Sequence, residues 1–338
     1  MPSKFLRQSI TLFATVLFLQ NSLFSQELPN NDYVVFRSEQ STEQLGSIAG
    51  TQRLEGTIVN LTGRDGLTFR PNTGREIKIP IGLIIDFGTV KENAQINAEQ
   101  AFRNGDYRAT IDNYLEARRS ENRDWVLRQH TSVIVQAYSA LGEPEKACRE
   151  FYALAESDTE TVYLASIPLP WYTDLTQSLS FQQLGEMWLD RPEYPACQLL
   201  SAGLSLTTAN RAKAVDALQL LTNSSNPSVA ALATSQLWRN RIVEATLSEV
   251  ISWEKQLDTM PEELRSGPHY ILGEVFARHN RPDDALTHWL HVQHDAPELR
   301  PLALRSLLRA VETLDKLGRG AEAETLRHEI RRFSGDEK

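Results

Sequence analysis

From residue 91 onward the chain repeats itself, and that repetition limits the fold more than any other feature of its 338 residues. Between about 91 and 335 apolar residues recur with a 3.6-residue period, and Ala and Leu dominate, so the segment reads as helices. The clearest unit is Gly267–Arg300, with His269, Leu272, Gly273 and Phe276, then Asn280-Arg281-Pro282, then Ala285, Trp289, Val292 and Pro297. Small residues at Gly273 and Ala285 let two antiparallel helices approach closely. The large Phe276 and Trp289 one turn away fill the groove beside that contact. Pro297 stops the second helix. The same frame fits Ala98, Ala101, Gly105-Asp106-Tyr107, Tyr114 and Ala117. It fits again at Val135, Tyr138, Leu141-Gly142, Ala147, Phe151 and Leu154, and more weakly at Leu314, Leu317-Gly318, Ala323 and Ile330.

These residues resemble the tetratricopeptide repeat, whose unit is about 34 residues long. Thr110 and Val135 stand where that pattern wants a smaller side chain. The resemblance implies repeats over 91–158 and 263–335. Residues 159–262 are degenerate. There Ala212–Leu221 and Ser228–Trp238 form a helix pair that looks HEAT-like, joined by a turn ending in Asn226-Pro227, a cap beside a first-turn proline. Ile167-Pro168-Leu169-Pro170-Trp171 is broken by prolines and reads as a hinge or a bulge. The expected class is mainly α, a right-handed helical-repeat solenoid in which stacking makes one continuous core.

A different composition precedes the helices. From 33 to 90 Gly and Thr rise and apolar residues alternate with period two. Strands are expected at Tyr33–Arg37, Arg53–Leu61, Leu67–Arg70, Glu76–Pro80 and Leu83–Phe87, with a turn at Gly63-Arg64-Asp65-Gly66. Closing five short strands would remove exposed edges, so a small five-stranded β-barrel is expected. The strand run, with Ile79-Pro80 before Leu83-Ile84-Ile85-Asp86-Phe87, resembles SH3-like and Sm-like barrels, in which one helical turn links the last two strands. Residues 38–52 are longer and more polar than the corresponding barrel loop. A module this small has a marginal core and is expected to cap the first helix that follows. Between 32 and 86 six basic residues face seven acidic ones, which is not a phosphate-binding surface, so no nucleic-acid partner is expected.

The first 25 residues read as a secretory signal: Lys4 and Arg7, then the apolar run Ile10–Leu19, then Ser25 before Gln26. The run is about half the 20 residues a spanning helix needs, and no later stretch is long enough, so no transmembrane segment is expected in the mature chain. Residues 26–32 read as a linker and 336–338 as a tail. Loss of Lys4 and Arg7 takes the net charge from −9 to −11. An acidic exported chain in the periplasm or cell envelope, or secreted, is the expectation. Export permits a disulfide between the two cysteines, Cys148 and Cys197, although free buried thiols are the simpler reading.

Motifs of chemistry are few. The sequence holds no phosphate-cradling glycine loop, no Gly-x-Ser-x-Gly, no His-Glu-x-x-His and no Cys-x-x-Cys, and no cofactor or metal is expected. His279, His288, His291 and His294, with Asp295, form the one dense set. His288 and His291 share a face at i, i+3, but flanking the buried Trp289 and Val292 they read as solvated surface. The tetratricopeptide resemblance implies protein binding, because in that family the first helix of each unit lines a groove. Carried onto matching positions, the groove residues are Tyr270, Glu274 and Arg278; Gln129, Ser132 and Gln136; and Glu99, Phe102 and Arg103. The expected function is a non-enzymatic scaffold for a protein segment. A protein of cell-wall or glycan turnover and a structural spacer are the alternatives.

Overall fold

The computed structural model describes residues 31–40, 48–172, 179–295 and 299–334. The expected signal segment and the C-terminal tail lie outside the described residues, as does Pro297. The chain divides into two compact units. One holds the residues up to His130 together with Glu160–Val162, the other Thr131–Thr159 and Tyr163 onward.

In the first unit, five antiparallel strands form one sheet: β1 (Asp32–Gln40), β2 (Ile48–Thr62), β3 (Gly66–Pro71), β4 (Ile77–Ile79) and β5 (Ile84–Gly88). Their order is β4-β3-β2-β1-β5. The sheet is open: β4 and β5 are its two edges, and the expected closed barrel is not formed. A single 3-10 turn, Ile81–Leu83, does link them. Within the polar stretch, residues 38–40 and 48–52 are strand, because β1 and β2 continue their ladder out to Gln40 opposite Ile48.

The sheet fills its concave side with a helix. Val34, Leu67 and Phe69 are fully buried, and Trp125 and Val126 enter the same core. Both belong to α3 (Asp124–Ala140), which follows α1 (Asn93–Arg103) and α2 (Tyr107–Ala117). The helical partner of the sheet core is therefore α3, not the first helix. A register shift in β2 between Ile58 and Asn60 shows why. The shift leaves Val59 without a ladder partner beside Ile58, which pairs with Phe69, and the Trp125 indole donates to the Ile58 carbonyl at 3.2 Å. The buried Asp32 carboxylate accepts the Ile58 N–H at 2.8 Å and the Thr89 hydroxyl at 2.6 Å. Both backbone groups of the buried Ile58 are thus paired with side chains, as burial demands.

The remaining helices are α4 (Pro144–Ser157), α5 (Leu179–Glu186), α6 (Pro195–Ser205), α7 (Arg211–Leu221), α8 (Pro227–Asn240), α9 (Leu247–Leu257), α10 (Ser266–Arg278), α11 (Pro282–Asp295), α12 (Arg300–Lys316) and α13 (Gly320–Ser334). Within the second unit α6 packs on α7 and also on α8, and α10 packs on α11 and also on α12. Contact with the next helix and the next but one is how stacked repeats share a core.

The hairpin turns show the repetition most plainly. Gly105, Gly142, Asn280 and Gly318 have φ of 74°, 70°, 54° and 73°. After each, the next residue's N–H bonds a carbonyl five positions back: Asp106 to Ala101, Glu143 to Tyr138, Arg281 to Phe276, Arg319 to Leu314. This left-handed closing of a helix satisfies its last carbonyls and reverses the chain. The same device thus ends four helices in the four places where the sequence frame was found. The close contact inside α10–α11 differs in detail from expectation. A Cβ on Gly273 would lie 2.5 Å from the Trp289 indole nitrogen, so Gly273 makes room for the indole itself.

The middle helices are joined as their sequence suggests. The Asn226 side chain accepts from the N–H groups of Ser228 and Val229 at 3.0 and 3.3 Å, with Pro227 in the first turn of α8. The proline-broken segment is a buried strap rather than a hinge. Leu169 lies against Gly203 of α6, the Pro170 carbonyl accepts from Gln236 of α8, and Trp171 covers Gly267 of α10. Its prolines remove N–H donors that would otherwise need partners in that dry setting. Cys148 and Cys197 are free and buried, and burial raises both thiol pKa values, Cys197 to about 12.

Candidate functional site

Successive first helices of the C-terminal repeats meet along a ladder of polar side chains. Tyr270 and Glu274 lie four apart on α10, and Arg305 and Arg309 four apart on α12, so each pair stands on one helix face. The Nε of Arg305 donates to the Tyr270 hydroxyl at 3.0 Å. Arg309 grips Glu274 with both arms of its fork, Nε to Oε1 and Nη2 to Oε2, each at 2.7 Å. Bidentate geometry of this kind is the strong form of the ion pair. Its third arm reaches Glu312 at 3.2 Å. The Arg305 guanidinium also lies 4.4 Å from the ring centre of Tyr172, which meets Tyr270 edge-on at 6.5 Å.

These contacts change what the expected groove residues are. Tyr270 is 2% exposed. Burial and the neighbouring Glu274 push its hydroxyl pKa up to about 12, so it stays a neutral acceptor for Arg305. Glu274 keeps the Arg309 guanidinium charged well beyond its ordinary range. The two hold α12 beside α10, and only Arg278 continues the stripe into solvent. What solvent meets is the outer side of the ladder, where Tyr172, Arg305 and Arg309 are half-buried and Arg278 is exposed.

The other expected positions lie on α1 and α3. Glu99 of α1 accepts from Lys91 at 2.7 Å and Gln95 at 3.2 Å. Phe102 is buried edge-on against Tyr107, with ring centres 5.6 Å apart. Arg103 is exposed and donates to Gln100 at 3.1 Å. On α3, Ser132 is buried while Gln129 and Gln136 are half-buried.

The histidines correct the solvated-surface reading. His291 and His294 are exposed, but His288 is 5% exposed. Helix α11 packs on α10 and on α12, so more of its circumference is covered than a two-helix frame suggests. The Nδ1 of His288 lies 2.9 Å from the Nδ1 of His269 on α10. His288 also stacks on Phe276, and its Nε2 lies 3.4 Å from Glu254 of α9. One neutral arrangement satisfies both contacts: His269 Nδ1–H donates to His288, and His288 Nε2–H points to Glu254. Burial lowers the two pKa values to about 3 and about 4, so both rings are neutral at pH 7. His279 caps a different neighbour, the Ala245 carbonyl, at 2.8 Å. Among the described residues no group of three or more His, Cys, Asp or Glu is arranged to hold a metal ion.

Compared with known proteins, the chain matches no protein-family model and no curated protein.

Arg305, Arg309 and Tyr172 were missed in the sequence, yet a signal was present. Arg305 follows Tyr270 by 35 residues, and Arg309 follows Glu274 by the same 35. One repeat length separates each pair, so extending the frame into the next unit would have found them. Tyr172 carried no such signal, because the strap that places it lies outside the repeat pattern.

Proposed function

We propose that this protein is a non-enzymatic scaffold of the periplasm or cell envelope that captures carboxylate-bearing protein segments on the face formed by α10 and α12. The supporting observation is the arginine ladder. Arg305 and Arg309 are held in fixed rotamers by Tyr270, Glu274 and Tyr172, with Arg278 at the open end. Preorganised arginines beside tyrosine are the composition of binding hot spots, and fixing them in advance reduces the entropy lost on docking. Arg278, Arg305 and Arg309 outnumber the two carboxylates that hold Arg309, Glu274 and Glu312, on a chain of net charge −9, which favours an acidic segment. On this reading the repeats form a right-handed solenoid of tetratricopeptide type, and the leading 25 residues direct export.

The test is an array of immobilised peptides that are Asp/Glu-rich, neutral or Lys/Arg-rich, probed with the mature chain. The acidic set is expected to retain it, and the double charge reversal Arg278→Glu with Arg305→Glu is expected to weaken retention by tenfold or more. Equal retention of all three sets, or retention unaffected by the reversal in a protein that still melts cooperatively, would contradict the proposal.

A further inference from the structure

The long second strand outruns its neighbour on one side. β2 extends from Ile48 to Thr62, but β3 accompanies it only from Gly56, opposite Pro71, to Thr62, opposite Gly66. Before Gly56 its ladder is with β1 alone, so β1 and β2 form a two-stranded arm past the end of β3. On the outer side of β1 the arm is flanked by β5 as far as Phe36, and the 3-10 turn Ile81–Leu83 packs beside it. On the outer side of β2, no strand among the described residues pairs with Ile48–Leu54.

Glu55 shows which backbone groups face that open side. Its carbonyl accepts the Asn72 N–H at 3.1 Å, just past the end of β3 and so away from β1. N–H and C=O directions alternate along a strand. Arg53, Thr51 and Ala49 therefore point theirs the same way as Glu55, while Leu54, Gln52 and Gly50 point theirs at β1. Three residues thus offer a row of outward donors and acceptors. Sheets ordinarily blunt such an edge with a very short strand, a Pro or a Lys. β4, the edge beyond β3, is three residues long. The run Ile48-Ala49-Gly50-Thr51-Gln52-Arg53-Leu54 holds neither Pro nor Lys. Its single charge is drawn back over β1, with the Arg53 guanidinium 3.9 Å from the ring centre of Tyr33. A two-stranded ribbon is marginal by itself, so the arm is suited to receive a third strand.

We propose that this third strand is β2 of a second copy, paired antiparallel about a two-fold axis at Thr51. In that register Thr51 is set opposite its own symmetry mate and Arg53 opposite Ala49. The three residues of each copy then exchange all their outward hydrogen bonds. The neighbouring registers do worse. A centre at Arg53 sets the two arginines face to face. A centre at Gln52 sets Ala49 against Glu55, whose carbonyl Asn72 already holds. A centre at Gly50 leaves Arg53 beyond the start of the partner's β2. Thr51 is exposed, and opposed threonines make a favourable cross-strand pair. Two-fold self-pairing of this kind is closed and stops at the dimer.

The experiment is sedimentation of the mature chain over a concentration series reaching about 100 μM, since a short strand pairing makes a small interface. Wild type is expected to pass reversibly from monomer to dimer. Thr51→Pro removes the central outward N–H of both copies without touching the β1 ladder, and is expected to weaken the dimer tenfold or more. Thr51→Lys and Thr51→Glu each set like charges face to face, and each is expected to weaken it threefold or more. An equal mixture of those two variants is expected to recover at least wild-type affinity. A monomer throughout the series, as a strand supplied by another protein would give, overturns the proposal. So does an unchanged affinity in a folded Thr51→Pro protein, or a Lys/Glu mixture no tighter than either variant alone. If Thr51→Pro does not fold, the charge variants at this exposed position decide. Peptide retention is read separately, since residues 48–55 do not belong to the α10–α12 face.

Discussion

The α10–α12 segment and the α6–α8 segment are both helices in the same unit, yet they differ in how their charged side chains are paired. In α10–α12 the polar side chains between helices answer one another: Tyr270 with Arg305, Glu274 with Arg309, His269 with His288. In α6–α8 the buried guanidinium of Arg239 has only neutral acceptors, and its Nη2 has no hydrogen-bond partner. The first pattern is what a repeat needs to fix its own stacking. The second is costly for the fold. Incomplete pairing does not by itself mark a binding site, since the Trp289 indole nitrogen and the Ser266 hydroxyl are also buried without a hydrogen-bond partner.

The largest expected effect tests the packed side of this contrast. Trp289→Ala empties the space that Gly273 leaves for the indole, and should cost about 3–5 kcal/mol, as truncation of a buried aromatic does. His291→Ala, which removes an exposed ring stacked on His269 with centres 4.6 Å apart, should cost about 1 kcal/mol or less. Urea melts giving equal losses for the two would mean that α11 does not present Trp289 to α10.

Acid should act next. His269 and His288 have native pKa values of about 3 and about 4, below the ordinary 6.5. Between those limits the unfolded chain binds more protons than the native one, so stability rises with pH. The groups facing the pair are Arg265, His291, Asp284, Asp258 and Glu254. Their stabilisation is complete above pH 6.5 and falls as pH drops through 6.5 toward 4. Each histidine should lose about 2 kcal/mol between pH 7 and pH 5. The check is the midpoint in urea across that range, with His288→Phe flattening the slope. An identical slope in wild type and His288→Phe would contradict the buried, neutral pair.

A smaller effect probes the ladder. Arg309→Ala leaves Glu274, whose side chain is 13% exposed, without its bidentate partner, while Arg309 itself is 42% exposed. Solvent screening on the arginine side holds the expected cost to about 1–2 kcal/mol. A double-mutant cycle with Glu274→Gln should return a coupling of about 1 kcal/mol, and a coupling near zero would mean that the pair does not hold α12 to α10.

Much of the fold was legible. The turn residues Gly105, Gly142, Asn280 and Gly318 lie where the repeat frame put them, because a left-handed closing position admits few residue types. The five strands were legible from their alternation. Barrel closure was not, since alternation reports which face is buried and not which edges pair. The candidate site was legible only in part. Tyr270 and Glu274 were found, but their burial depends on the next first helix, one repeat further along, which a single unit cannot reveal. His288 escaped because its burial is made by His269 and Phe276 of α10 and Glu254 of α9, an element outside the single repeat unit. Arg239 gave no signal at all, because its environment is made by Pro170, nearly seventy positions earlier in the chain (a separation of 69).

The contrast reduces to which arginines respond to an acidic segment. The most direct measurement is NMR of the mature chain carrying 15N-labelled arginine, following the Nε signals of Arg278, Arg305, Arg309 and Arg239. With an Asp/Glu-rich peptide the first three are expected to shift in a saturable way while Arg239 stays still. Movement of Arg239 with the peptide, or silence of the α10–α12 arginines at saturating peptide, would contradict the assignment of this face as the place where the protein holds its partner.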